Sequence, residues 1–264
     1  MHRVVLTSLG LMVLAAMSVA HGPTSRAAGP LDLFLLVGQS NMAGRGKVEP
    51  QDKVHIPGVL MLNKQRTWVP AVDPMHFDKP IAGVGLGRSF AARVAAVHPD
   101  AMVGLIPAAV GGSPIDTWQP GVYYDATKSH PWDDAIARAQ AAGASGTLKA
   151  ILWHQGESDA TPDLAPGYEA KLHDLIARFR TALDAQDVPF IVGQLGQFPG
   201  VPWDAPRRMV DAAHRSVPGK VRRTAFVSSD GLVHGGDKVH FDTPSLRELG
   251  RRYAQAYLSL SAPP

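Results

Sequence analysis

The run from Leu31 to Val37 is apolar at every position but Asp32, and it breaks abruptly into Gly38, Gln39, Ser40 and Asn41, with Gly44 and Gly46 close behind. A continuous apolar run of this length predicts a strand buried on both faces, and therefore a parallel sheet covered by helices. The glycines predict a sharp turn, so the strand stops there and leaves a hydroxyl at its tip. In open α/β sheets ligands bind beyond the carboxyl ends of the strands, which is where Ser40 stands. Seen alone, Gly-x-Ser is more often an ordinary polar turn, and the rest of the chain has to decide between the two.

That rest alternates. Helical spacing runs over 86–98, where Leu86, Phe90, Val94 and Val97 share a face and Pro99 follows, and again over 133–142, 166–185, 205–216 and 245–258. Apolar strand patterns fall between them at 101–109, 148–153, 189–194 and 224–228. Such alternation predicts an α/β three-layer sandwich, with a five-stranded parallel sheet, right-handed crossovers and helices on both faces. Residues 46–87 carry several prolines and no clear period, and are read as an irregular wall of the cleft that follows the serine. With 264 residues, 45% of them hydrophobic, the chain can bury one full core, and no linker divides it.

Twenty-six basic against 23 acidic residues is close to balance, and no Lys/Arg block marks a nucleic-acid footprint. Met1-His2-Arg3 followed by the apolar run from Val4 to Ala20, closed by Ser18-Val19-Ala20, predicts a signal peptide over residues 1–20. A second small-residue pattern at Ser25-Arg26-Ala27 would move the cut as far as residue 28, leaving a mature domain over 29–264. The expectation is a secreted or periplasmic protein with no membrane attachment once the signal is removed. The absence of cysteine rules out disulfides and a thiol nucleophile. Eleven histidines invite a metal reading, but none form an i, i+4 pair with a third ligand nearby, so no zinc is expected.

Four predicted strand tips or loops gather polar residues: Ser40, Gly111-Gly112, Gln155-Gly156-Glu157, and the loop from Asp230 to His240. A serine hydroxyl needs a base to take its proton, and the base needs a third group to hold its tautomer. Ser40, His240 and Asp237 fill these roles, with Asp230 and His234 as a rival pair just upstream. The N–H groups of Ser40 and Gly112 and the amide of Gln155 are the expected oxyanion donors. Whether Gly111 or Gly112 gives its N–H stays open. Gln39, Asn41, Arg45 and Glu157 are expected to contact substrate. Each feature has a plainer reading: Gly111-Gly112 as a mere tight turn, Glu157 and Asp159 as helix-start residues, Asp242-Thr243 as a cap for the last helix.

Taken together, Gly38-Gln39-Ser40-Asn41-Met42-Ala43-Gly44-Arg45, the stretch Trp153-His154-Gln155-Gly156-Glu157-Ser158-Asp159 and the Asp237-x-x-His240-Phe241 motif resemble the sialate O-acetylesterase-type carbohydrate esterases. These are a branch of the SGNH (GDSL-like) hydrolase superfamily. The resemblance spans about Leu31 to Leu258, with the motifs in the right order. It implies a flavodoxin-like fold, Ser40 as nucleophile, His240 as base and Asp237 as its orienting acid. It also implies donors from Ser40, the Gly111-Gly112 turn and Gln155, and deacetylation of O-acetylated sugars without a cofactor. Gly-Gln-Ser in place of Gly-Asp-Ser, and Gln155 where asparagine is usual, depart from the wider superfamily and are typical of this branch. By the residues alone, a lipase-like or thioesterase activity, or a carbohydrate-binding protein without turnover, remains an alternative, because the triad does not choose the alcohol.

Overall fold

The first strand, β1 (Leu31–Gly38), is the centre of the molecule. Its side chains alternate between two cores: Leu31, Leu33, Leu35 and Val37 enter one, and Phe34 and Leu36 the other. Full burial of each such side chain stabilises the fold by about 1.5–3 kcal/mol. A strand with two apolar faces has to be covered on both sides, and the helices do this.

The computed structural model describes residues 29–261, so the expected signal peptide lies outside the described residues. In chain order the elements are β1, α1 (Ser40–Ala43), β2 (Val59–Leu62), β3 (Trp68–Pro70), α2 (Gly87–Val97), β4 (Met102–Pro107) and α3 (Pro131–Gly143). Then come β5 (Gly146–His154), α4 (Tyr168–Ala182), β6 (Phe190–Gly193), α5 (Ala205–Lys220), β7 (Thr224–Val227) and α6 (Thr243–Ser261). The sheet order is β3-β2-β4-β1-β5-β6-β7. Pairing is parallel throughout except for β3, which runs antiparallel to β2 at the edge.

Phe90 and Val94 of α2 and Leu246, Leu249 and Tyr253 of α6 fill one core, while Trp132 of α3, Leu172, Leu175, Ile176 and Phe179 of α4 and Val210 of α5 fill the other. The chain moves from β1 to β4 on one side and then crosses back to β5 on the other. Strand order reverses at β1, and the crevice of such a sheet opens at that switch point.

The α/β class with helices on both faces stands, but the sheet has seven strands and not five. Residues 46–87 are not irregular throughout, since they contain β2 and β3. Four- and three-residue strands are too short for a visible period, and Pro70 is tolerated only because β3 lies at the sheet edge. The two ends of the segment do reach the cleft. α5 runs past the expected Ser216 to Lys220, with Pro218 in its last turn, and Asp242 Oδ1 accepts from Ser245 N at 2.8 Å as the cap expected for α6. No helix among the described residues is long and apolar enough to cross a membrane.

Candidate active site

Gly38 lets β1 turn into the site. Its φ is +124°, and a Cβ there would lie 2.2 Å from the carbonyl oxygen of His154 on β5. The chain therefore turns tightly against its neighbour and delivers Ser40 to the first position of α1, 6% exposed, at the floor of a cleft of about 900 Å3.

His240 comes from the loop before α6. Its Nε2 is 2.8 Å from Ser40 Oγ, and its Nδ1 is 2.5 Å from Asp237 Oδ2. The ring is thus arranged to donate from Nδ1 to the carboxylate and to accept the serine proton at Nε2. Burial alone would raise the pKa of Asp237. Hydrogen bonds from the His240 and Val239 N–H groups to Oδ1 and from the imidazole outweigh that effect and hold the carboxyl at about 2. Asp237 stays ionised wherever an imidazole can act as a base. The rival His234 is turned away: its Nδ1 accepts from Gly236 N at 2.9 Å, and its ring meets Phe198 edge-on at 5.2 Å.

The glycine turn after β4 is held from both sides. Gly111 N donates to Asp78 Oδ2 at 2.9 Å, while Gly112 O accepts from Tyr124 Oη at 2.8 Å and from Ser158 Oγ at 2.9 Å. The N–H of Gly112 keeps no protein acceptor among the described residues. It lies with Ser40 in the wall of the cleft, so the turn offers the N–H of Gly112 and not that of Gly111. Asp78 and Tyr124 in these supporting places had no signal in the sequence, and Ser158 stood in the Trp153–Asp159 motif with no role assigned to it, because each acts on a backbone group outside its own turn.

Gln155 is corrected by the structure. It is fully buried and its amide nitrogen donates to Ser113 O at 3.1 Å and to Asp159 Oδ2, while its oxygen accepts from Tyr168 Oη at 2.8 Å. Both amide protons are used below the turn, which leaves none for an oxyanion. Tyr168 Oη also lies 2.9 Å from His214 Nε2, so Gln155 belongs to an interior polar network. Asp159 Oδ2 accepts from Ile115 N at 2.9 Å as well, tying that network to the segment after Gly112.

Two expected substrate contacts are held by hydrogen bonds within the protein. Asn41 is fully buried and bonds Glu157, Val239 and Phe241. Arg45, with a side chain 7% exposed, pairs with Asp78 at 2.8 Å and donates to Gly44 O at 2.7 Å. Arg45 nonetheless lines the cleft, as do Gln39 and Glu157. Gln39 is anchored through Oε1 to Gly156 N at 3.3 Å and Ser158 N at 3.4 Å, which leaves its amide nitrogen for a ligand. Burial raises the pKa of Glu157, against the bond from Asn41. Lys47, Lys79 and Ile81 complete the rim. A larger groove of about 1300 Å3 opens on the opposite edge beside Asp32, Lys149 and Tyr257, and no serine–imidazole contact lies in it. No group of three or more His, Asp or Glu side chains able to hold a metal occurs among the described residues.

The doubly covered sheet, with a serine hydroxyl 2.8 Å from an imidazole at its switch point, has the geometry of an α/β serine hydrolase. The comparisons make the assignment narrower. The family model described as carbohydrate esterase, sialic acid-specific acetylesterase matches residues 30–259, and the chain belongs to that family. It is similar to the probable carbohydrate esterase At4g34215 of Arabidopsis thaliana, with 31% identity over 253 residues, 87% of this chain and 91% of the relative. The crystal structure of that relative superposes with a TM-score of 0.76, covering 87% of this chain and 98% of the other. The fold is shared at lower identity with NanS, at 16% and TM-score 0.73 over 88% and 98% of the two chains. It is also shared with XAC1771, a carbohydrate acetylesterase from Xanthomonas citri, at 20% and 0.69 over 87% and 56%. The chain is a carboxylic ester hydrolase of the carbohydrate esterase type.

Proposed function

We propose that the enzyme removes O-acetyl groups from carbohydrates through a Ser40-His240-Asp237 triad and an acetyl-enzyme. The observation that carries this reading is the unbroken line from Ser40 Oγ to His240 Nε2 and from His240 Nδ1 to Asp237. His240 takes the serine proton as Oγ adds to the ester carbonyl, and Asp237 stabilises the imidazolium. The carbonyl oxygen gains charge as attack proceeds, and the N–H groups of Ser40 and Gly112 receive it. Collapse returns the proton from His240 to the leaving sugar oxygen. Water, deprotonated by His240, then releases acetate and restores the serine.

Gln39, Lys47, Lys79, Glu157 and Asp237 in the wall of the cleft offer hydrogen-bond partners to a hydroxyl-rich alcohol. We place the enzyme outside the cytoplasm, after removal of the leader read in residues 1–20. The test is acetate release from a panel of acetylated xylan, sialic acid and simple sugar acetates, run beside p-nitrophenyl esters of increasing chain length. Ser40→Ala should abolish release while leaving the circular dichroism spectrum unchanged. Turnover retained by Ser40→Ala, or a preference for long acyl chains, would overturn the reading.

A further inference from the structure

Asp237 and His240 belong to one loop and stand three residues apart, so the bond between them orients the ring within the loop. It cannot set the distance from that loop to Ser40, which lies 200 positions earlier in the chain. Some other contact has to register the loop against the nucleophile.

Asn41, the residue after the nucleophile, makes that contact on both sides of the base. Its Oδ1 accepts from Phe241 N at 3.1 Å, and its Nδ2 donates to Val239 O at 3.2 Å. One side-chain amide thus holds the backbone groups that flank His240, as a neighbouring strand would. The second proton on Nδ2 goes to Glu157 Oε1 at 2.6 Å. Reversing the amide would set oxygen against the Glu157 carboxyl and the Val239 carbonyl, and N–H against the Phe241 N–H. Glu157 therefore joins Val239 O and Phe241 N in fixing which way Asn41 faces. The other carboxyl oxygen, Oε2, is buried with no protein partner, an arrangement that packing by itself would not call for.

We infer that Asn41, oriented by Glu157, is a positioning residue for the general base and sets His240 in register with Ser40. The inference rests on the esterase reading above. It predicts a loss confined to the chemical step, since a misplacement of about 1 Å costs on the order of 100-fold in rate.

The experiment is a double-mutant cycle on a small aryl acetate, with thermal melts to establish folding at the assay temperature. Asn41→Ala should lower kcat by about 100-fold with KM changed by no more than a few-fold. In a His240→Ala background the same substitution should cost almost nothing, because there is no base left to place. Glu157→Leu should act in the same direction and should not add to Asn41→Ala. If Asn41→Ala is unfolded, Asn41→Asp takes its place in the cycle, since it keeps the acceptor for Phe241 and loses both donors. Equal losses with and without His240 would show a general structural role and overturn the inference, as would a raised KM with kcat intact, or no effect. An inactive wild type would overturn the esterase reading and this inference together, whereas an active wild type indifferent to Asn41 overturns the inference alone.

Discussion

Gly111 donates its N–H to Asp78 Oδ2 over 2.9 Å, and Arg45 Nη2 donates to the same oxygen over 2.8 Å. This buried pair clamps the glycine turn from the interior and leaves the next N–H, that of Gly112, to the cleft. A residue of the long segment between β1 and α2 thereby decides which of two adjacent amides can serve an oxyanion.

Substitution at Gly111 tests the clamp. A Cβ there would lie 2.3 Å from Arg45 Nη2 and 2.6 Å from Asp78 Oδ2, so Gly111→Ala must push the ion pair aside or shift the turn. Loss of one oxyanion donor costs on the order of 10²–10³ in kcat, and that is the expected fall, with KM nearly constant. Steady-state kinetics on an aryl acetate check it. Wild-type kcat in Gly111→Ala would show that the turn does not hold the oxyanion.

The two histidines of the last loop should behave differently. His240→Ala removes the only imidazole in contact with Ser40 among the described residues and should lower kcat by several orders of magnitude. His234→Ala removes a ring packed on Phe198 and an acceptor for Gly236, and should reduce thermal stability more than turnover. The opposite ranking of kcat values would place the base at His234.

Gln155→Ala should act on stability. The change leaves Ser113 O without that donor and removes one of the acceptors of Tyr168 Oη in a fully buried network, which costs about 1–3 kcal/mol. Denaturant melts measure the loss, and kcat assayed well below the midpoint should stay within a few-fold of wild type. A fall in kcat with unchanged stability would mean that the amide reaches the transition state after all.

His154 carries a pH signature. Tyr253 Oη donates to Trp153 O at 2.7 Å, so the contact of 3.1 Å between His154 Nδ1 and Tyr253 Oη has the ring as donor. The Nε2 lone pair is buried without a partner, and burial lowers the pKa of the ring to about 3. With the folded pKa below the unfolded value of about 6.5, the neutral ring contributes stability that is fully present above that pH. It is lost as pH falls from there toward 3, at about 1.4 kcal/mol per pH unit. His154→Gln should therefore flatten the acid side of the stability profile relative to wild type. The buried carboxyl of Asp73, raised by burial to about 7, slopes the other way in both proteins and cancels in the difference. Parallel profiles for the two proteins from pH 7 to 4 would contradict this account.

Features that depend on local pattern were legible along the chain. The alternation of β1 between two cores, the amphipathic helices, and the order of Ser40, Gly111-Gly112, Glu157 and His240 along the strand tips follow from apolar spacing and turn residues. The motifs around Ser40 and His240 pointed to the family for the same reason. β2 and β3 emerge only on folding, because strands of four and three residues exist only through the partner they pair with. Folding likewise sets the direction of each side chain at a turn. Gln155 and Asn41 stand beside the cleft in sequence, yet each spends its donors on interior acceptors, some from 42 to 198 positions away. A polar side chain at a strand tip turns toward whichever buried partner would otherwise lack a hydrogen bond, and that partner is set by the folded neighbourhood, which local spacing does not encode.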